Sequence, residues 1–301
     1  MPIHSSFLIY FQEVCRCGSI RAAARNLHVA SSAVNRQILK IEKELGVGLF
    51  SRHAGGIRLT EAGELLLRHV ALTMADAEKT LAALKALGSH EHPVITIAGQ
   101  ESVIARFLPP VLVALHAEHP DISTSFKAAS GDALLELLLS GKADIALAFD
   151  PGTHAEIEVF DSCRLPVGAI MGPGHPLEGR EHITLAECAP YPLILPDESW
   201  PLRRLLDREI DKLDMFLNIV TSSNSEEFLR TMFDHHLGIG FQTVMGIETP
   251  LDKGELVFVP LGDKRRMEQV FAVCIRKPRR RDAPVQQLIE SLARRLGEYQ
   301  G

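Results

Sequence analysis

The chain has 301 residues, of which 46% are hydrophobic and 23% charged, and its net charge is −6. This is the composition of an ordinary globular protein, long enough for two or three domains that each bury a core. No apolar run approaches the roughly 20 residues needed to cross a bilayer, so no membrane association is expected. The opening MPIHSSFLIYFQEVC lacks a basic segment and a small-residue cleavage site. No secretory leader is therefore expected, and the expected location is cytoplasmic.

Charge is uneven along the chain. Residues 1–60 hold eight Lys or Arg against three Glu, a balance of +5, which leaves −11 for the rest. A basic segment on an acidic body points to a polyanionic partner for the N-terminal part. The cysteines, at 15, 17, 163, 188 and 274, are odd in number and irregular in spacing. They form no disulfide framework, and Cys15 and Cys17 lack a second pair for zinc. Cys163 and Cys188 are a conceivable redox pair, but buried inert thiols are the expectation.

Helical spacing of Phe7, Leu8, Phe11, Val14 and Cys15 predicts a first helix over 5–17, ended by Gly18. Ser19 caps a short Ala-rich helix, IRAAARNL. After the turn HVAS, Ser31 or Ser32 caps a third helix whose buried side is Val34, Ile38, Ile41 and Leu45, with Gly46 as its stop. Two short helices joined by a tight turn after a first helix form a helix-turn-helix, whose second helix enters the DNA major groove. Ser31, Ser32, Asn35, Arg36 and Lys40 near the start of that helix, with Arg21 on the one before, are the candidate DNA contacts. Asn pairs with adenine edges, and Arg pairs with guanine edges or holds phosphates. For an isolated helix, a solvated polar face would be the default reading. The surrounding charge and the Ala-rich helix weigh against it.

VGLFSRHAGGIRLT predicts a β-hairpin, or wing, carrying Arg52 and Arg58 toward the phosphate backbone or minor groove. Thr60 caps a helix over 61–88 in which Leu67, Val70, Met74, Ala77, Leu81 and Leu84 are spaced alternately three and four apart. That is a coiled-coil stripe, predicting a dimer seam with a second copy, against the alternative of a helix packed on its own domain. GSHEHP, 88–93, reads as a hinge, its part beyond the helix being 89–93. His90 and His92 there are expected to be solvated rather than metal ligands.

From 94 the pattern becomes strand–helix–strand, which predicts parallel sheet flanked by helices. VITIAG, DISTSFKAA and IALAF are strands; a helix broken by Pro109-Pro110 and a helix capped by Ser130 and stopped by Gly141 lie between them. IEVFDSCRLPVGAIM crosses to a second set, in which YPLILP, FLNIV and GIGF alternate with helices near 201–213 and 225–236. MEQVFAVCIRK and a last helix return to the first set. The predicted fold is multidomain: an all-α winged helix-turn-helix with a long linker helix, then a two-lobed α/β domain with a small-molecule cleft. The domain boundaries are 1–60 for DNA binding, 61–88 for the dimerising helix, 94–163 with 266–301 for the first lobe and 164–265 for the second.

AAARNLHVASSAVNRQILKIEKELGVGLFSR, IRLTEAGELLL, LPPVLVALHAEHPDI, SGKADIALAF and GHPL resemble the LysR-type transcriptional regulators over nearly the whole chain. The resemblance implies a winged helix-turn-helix, a dimerising linker helix and an effector domain like that of periplasmic solute-binding proteins. It also implies homodimers assembling to a homotetramer on double-stranded promoter DNA, a small-molecule effector of unstated identity and no other cofactor. RNA polymerase is a further partner it admits. Asn35 and Ser32 depart from the family's usual residues and bear on base preference. By resemblance, effector contacts map to Gln100, Glu101 and Ser102; to Ser130 and Gly131; to Phe149 and Asp150; and to Pro196, Asp197, Ser199 and Trp200.

Helix starts at Ser102 and Ser130 suit a carboxylate or other anion, and both serines are otherwise plain helix caps. Glu101 and Asp197 oppose a strongly anionic ligand unless they are paired or turned away. Trp200 suits a pocket wall or the core. No P-loop, G-x-G-x-x-G, G-x-S-x-G or H-E-x-x-H supports an enzyme. A solute-binding protein without DNA function leaves the basic N-terminal segment unexplained. KPRRR at 277–281 is expected to be a solvated turn.

Overall fold

The computed structural model describes residues 5–53, 56–86, 94–212, 217–234, 237–262, 266–277 and 283–299. It divides into two compact units, Met1–Pro93 with Leu139–Lys142, and Val94–Leu138 with Ala143–Gly301. The hinge expected at 89–93, with His90 and His92, lies outside the described residues, as does 278–281 of the basic turn.

In the first unit, α1 (Ser6–Cys17) starts where the Ser5 hydroxyl accepts from the Phe7 N–H, and ends at Gly18 in the left-handed region. α2 (Ile20–Asn26) is capped by Ser19, which accepts from the Ala22 N–H at 3.4 Å. Ala23 and Ala24 are buried, where a larger side chain would hold neighbouring helices apart. His28 takes a left-handed φ of 55° in the turn that leads to α3 (Ser31–Leu45). Two expectations for α3 need correction. Its cap position is Ala30, which makes no side-chain bond, so neither Ser31 nor Ser32 caps the helix and both are exposed. Val34 and Ile38 are buried and Ile41 half-buried, but Leu45 is 54% exposed. The core ends a turn earlier than the stripe, and Leu49 beyond the Gly46 stop joins it instead.

β1 (Phe50–His53) pairs antiparallel with β2 (Gly56–Leu59) to make the wing. Glu42 of α3 accepts from the N–H groups of Leu49 and Phe50 at 2.7 and 3.3 Å, tying the wing's root to that helix. Thr60 donates to the Gly48 carbonyl at 2.7 Å and accepts from the Gly63 N–H at 3.1 Å. One side chain thus closes the wing and caps α4 (Glu61–Ala86). Gly63 is needed there, since a Cβ would lie 2.1 Å from the Leu49 carbonyl oxygen.

The α4 stripe is divided. Leu67, Val70 and Met74 pack with Phe7, Phe11, Val14 and Val34 in the helix-turn-helix core, and Val70 is fully buried. Ala77 is buried, whereas Leu81 and Leu84 are 36% and 56% exposed. The first half of the stripe therefore packs on its own domain, as in the alternative to a seam along the whole helix.

In the second unit, β3 (Val94–Gly99) leads into a π-helical turn (Val103–Phe107) that continues as α5 (Leu108–Glu118). Pro109 and Pro110 stand at the start of α5, where the wider π-helical turn gives way to α-helix, so the pair is accommodated in one helical run rather than breaking it. Then come β4 (Ser123–Ala128), α6 (Gly131–Leu139), β5 (Ile145–Phe149) and the fifteen-residue β6 (Ile157–Met171). After α7 (Leu185–Cys188) follow β7 (Leu193–Pro196), α8 (Pro201–Ile210), β8 (Ile219–Ser223), α9 (Glu226–Asp234) and β9 (Ile239–Thr243). α10 (Glu248–Asp252), β10 (Val257–Pro260), β11 (Glu268–Arg276) and α11 (Ala283–Gly297) complete the unit. The short α7, α10 and β10 had no clear periodicity to announce them.

Strands run in the order β4-β3-β5-β11-β6-β9-β7-β8, with β10 on β6. β4, β3 and β5 are parallel, as are β8, β7 and β9. β6 runs antiparallel to β11 over Ile157–Pro166, then to β9 and β10 over Val167–Met171. This one strand passes between two parallel sheets, and β11 returns to the first. Each lobe has its own core: one around Ile97, Phe107, Phe271 and Leu292, the other around Val167, Leu195, Leu206 and Phe241. Cys163 and Cys188 belong to different cores and all five cysteines are free. Burial pushes the Cys163 thiol up to about 11 and those of Cys188 and Cys274 up to about 12, which suppresses the reactive thiolate.

Candidate functional sites

The first site is the polar side of α3. Its buried side anchors the helix through Val34 and Ile38, which turns Ser31, Ser32, Arg36 and Lys40 to solvent, with Asn35 half-exposed. Arg21 of α2 and Arg58 of the wing are also exposed. Arg21, Arg36 and Arg58 have no ion-pair partner among the described residues. Lys40 has only an exposed contact with Glu44 at 3.8 Å, of a kind that contributes about 0–1 kcal/mol. Arg52 pairs through its backbone with Ile57, and its side chain lies outside the described ones. α2 is positioned by Asn26, which donates to Glu13 of α1 at 2.8 Å. Arg16 and Asn26 together hold the Glu13 carboxyl down at about 2. The result is a set of exposed donors and cations on α3 and on the neighbouring α2 and wing, the equipment for base edges and phosphates.

The second site lies between the lobes of the second unit. A cavity of 20 Å³ is lined by Gln100, Ser102, Phe149, Trp200, Leu202, Glu226, Gln242, Thr243, Met245 and Gln269. A neighbouring cavity of 150 Å³ shares Ser102, Trp200, Glu226 and Gln242 and adds Glu101 and Arg106 to its wall. Of the residues mapped by resemblance, Gln100, Glu101, Ser102, Phe149 and Trp200 are thus brought together. Ser130, Gly131, Asp150 and Pro196 line neither cavity.

The residues outside the walls have other places, and the Ser130 carbonyl accepts from the Leu134 N–H at 3.4 Å in the first turn of α6. At Gly131, with φ at +52°, a Cβ would sit 2.5 Å from the Ser199 carbonyl oxygen, so the lobes nearly touch there. Asp150 accepts from Gln269 Nε2 at 2.9 Å and the Val270 N–H at 2.8 Å, bracing β5 against β11. Pro196 accepts from Arg203 at 3.0 Å, and Asp197 is turned onto the Ser199 N–H and hydroxyl.

The helix start at Ser102 is already occupied. Glu226, the first residue of α9 in the opposite lobe, accepts from both the Ser102 N–H and, at 3.1 Å, its hydroxyl. Burial raises the Glu226 carboxyl to about 7 despite these bonds, and the nearby Glu101 charge adds to the rise. Arg204 meets Asp132 across the lobes at 3.5 Å, and the Tyr299 hydroxyl donates to Glu248 at 2.7 Å. Sequence reasoning missed Glu226, Gln242, Thr243 and Gln269. The first three stand at or just after the ends of parallel strands β8 and β9, where open α/β sheets place ligands. Gln269 lies on a crossing strand with no such signal.

Residues 88–297 match the LysR substrate binding domain, and residues 6–64 match the bacterial regulatory helix-turn-helix protein, lysR family. Among curated relatives, the HTH-type transcriptional regulator SsuR of Burkholderia cenocepacia is 25% identical over 93% of this chain and 91% of its own. The uncharacterized HTH-type transcriptional regulator YybE of Bacillus subtilis is 29% identical over 71% of this chain and 73% of its own. The fold is that of full-length CbnR complexed with target DNA, with a TM-score of 0.60 at 20% identity over 96% of this chain and 99% of that one. It is also that of HinK from Pseudomonas aeruginosa, with a TM-score of 0.57 at 22% identity over 97% and 98%. With both its N-terminal and its C-terminal part matched, the chain belongs to the LysR family of bacterial helix-turn-helix transcriptional regulators, with a DNA-binding domain followed by a substrate-binding domain.

Proposed function

We propose that α3 reads the promoter through Asn35 and Arg36, while Ser31, Ser32, Arg21, Lys40 and the wing residues Arg52 and Arg58 hold the phosphate backbone. The observation that carries this reading is the two-sidedness of α3: Val34 and Ile38 are buried, while Arg36 and Lys40 stand exposed. The DNA-binding domain spans 1–60, and 61–88 is the dimerising helix, for which exposed Leu81 and Leu84 are the available seam. Homodimers assemble to homotetramers, RNA polymerase is the further partner, and the chain acts in the cytoplasm as a regulator rather than an enzyme.

In this reading a small effector binds between the lobes, spanning 94–163 with 266–301 and 164–265, at Gln100, Glu101, Ser102, Phe149 and Trp200. It shifts the lobe arrangement only by as much as it prefers one arrangement over the other. Fluorescence anisotropy on promoter DNA under a salt titration tests the DNA half. A steep loss of affinity with salt and a preference for promoter over scrambled duplex are expected; equal affinity for both duplexes would overturn it.

A further inference from the structure

We propose that the cleft of this regulator takes a small ligand bearing hydrogen-bond donors, an ammonium or an amide, rather than a carboxylate, and that Glu226 is the residue that selects it. The proposal rests on the reading of the cleft as the effector site and names the chemistry of its ligand.

Three observations lead there. First, the slot at which a carboxylate would be captured, the N–H and hydroxyl of Ser102, is filled by the protein's own carboxylate from Glu226. A carboxylate ligand would have to displace Glu226 and then remain beside it. Among the described residues, no Lys or Arg lines the smaller cavity to offset two like charges. The larger cavity adds Arg106 and Arg230 but also Glu101 and Glu227, and Arg230 already donates to both oxygens of Glu227 at 2.8 Å.

Second, Glu226 retains accepting capacity. Ser102 uses one lone pair on each carboxylate oxygen, leaving another on each for ligand N–H groups. A ligand can therefore bind Glu226 without breaking its contact with Ser102. Both cavities are lined by Ser102 and Glu226, so the contact borders each of them.

Third, the remaining polar wall accommodates donors on the ligand. Gln269 gives its amide nitrogen to Asp150 at 2.9 Å, which leaves its carbonyl oxygen as the unused group. Gln100 and Thr243 are 9% and 3% exposed, and their side chains have no hydrogen-bond partner among the described residues. Their polar atoms open onto the cavity rather than being sealed in the fold, and each can meet a donor or an acceptor of a ligand. Trp200, Leu229 and Phe233 give the neighbouring 150 Å³ cavity apolar and aromatic surface with room for a short methylene chain or an ammonium over a ring, whereas the 20 Å³ cavity holds about one water.

The test uses the full chain and three series of probes of two to six carbons: α,ω-diamines, the matching diamides and the matching dicarboxylates. Thermal shift and Trp200 emission are read at about pH 8, where Glu226 is ionised. Saturable stabilisation by a diamine or diamide, with no response to dicarboxylates, is the expected result. Glu226→Gln should weaken diamine binding by about ten-fold or more. If that variant does not fold, Glu226→Asp, which keeps the charge but withdraws it by one methylene, should show the loss. Dicarboxylates binding as tightly as diamines, no response to any series, or diamine binding untouched by the Glu226 variants would each overturn the proposal. Binding that depends on Glu226 but leaves promoter affinity unchanged would instead overturn the effector reading while the ligand class stands.

Discussion

Glu226, at the start of α9 in one lobe, closes onto the backbone N–H and hydroxyl of Ser102 at a helix start in the other. The contact places a carboxylate where an anionic effector would otherwise sit. It also makes the closeness of the lobes depend on an ionisable group.

The stability of the second unit should therefore respond to pH. The Glu226 carboxyl lies at about 7 in the fold, above its ordinary 4.5. The folded chain thus holds a proton that the unfolded chain releases between those values, so this residue's contribution is most favourable below 4.5 and is lost as pH rises toward 7. The charged groups nearby are Glu101, Arg106, Glu227 and Arg230. Glu226→Gln should raise the melting temperature at about pH 8 and change it little under acid, because an amide pays no ionisation cost. Calorimetry across that range checks this; a variant destabilised equally at both ends would mean that the Ser102 bonds outweigh the buried charge.

On DNA, Arg36→Ala should lower affinity for the promoter by about 1–3 kcal/mol and relax preference at one base position. Arg58→Ala, on the wing, should weaken promoter and scrambled duplex alike and reduce the salt slope by roughly one. Anisotropy on both duplexes separates the two outcomes.

The halves of α4 should behave differently. Val70 is fully buried against the helix-turn-helix, so Val70→Ala should destabilise that unit by about 1–3 kcal/mol. Leu81→Asp with Leu84→Asp alters exposed positions and should leave the unit's melting unchanged while shifting sedimentation to smaller species. An unchanged oligomer would place the seam elsewhere.

Gly131→Ala should strain a left-handed position and press against the Ser199 carbonyl, 2.5 Å from the new Cβ. A cost of about 1–3 kcal/mol is expected, together with a change in Trp200 emission as the neighbouring segment yields. Chemical denaturation followed by fluorescence measures both at once.

Much of this was legible in the sequence because the signals are local. Phe7, Phe11 and Val14 lie on one face of α1 by periodicity alone, and Ser19, Gly18 and Gly46 mark helix ends through their own hydrogen bonding or φ. Alternation of strand and helix after Val94 likewise followed from apolar spacing. The same reasoning erred where neighbours decide. Leu45 continues its stripe yet is exposed because the core has already ended, and Ala30, not a serine, sits at the cap of α3. Gln100, Ser102 and Trp200 could be mapped one by one from the family pattern, but Glu226 could not. It is distant in sequence from Ser102, and only the passage of β6 and β11 between two separately formed sheets brings the two together. The caps at Ser5 and Ser19, the stops at Gly18 and Gly46 and the apolar face of α1 are properties of a few consecutive residues, and the sequence determined them. The occupant of the Ser102 slot, the partners of Asp150 and the two fates of the α4 stripe depend on which distant surfaces meet, and that was decided by the tertiary structure.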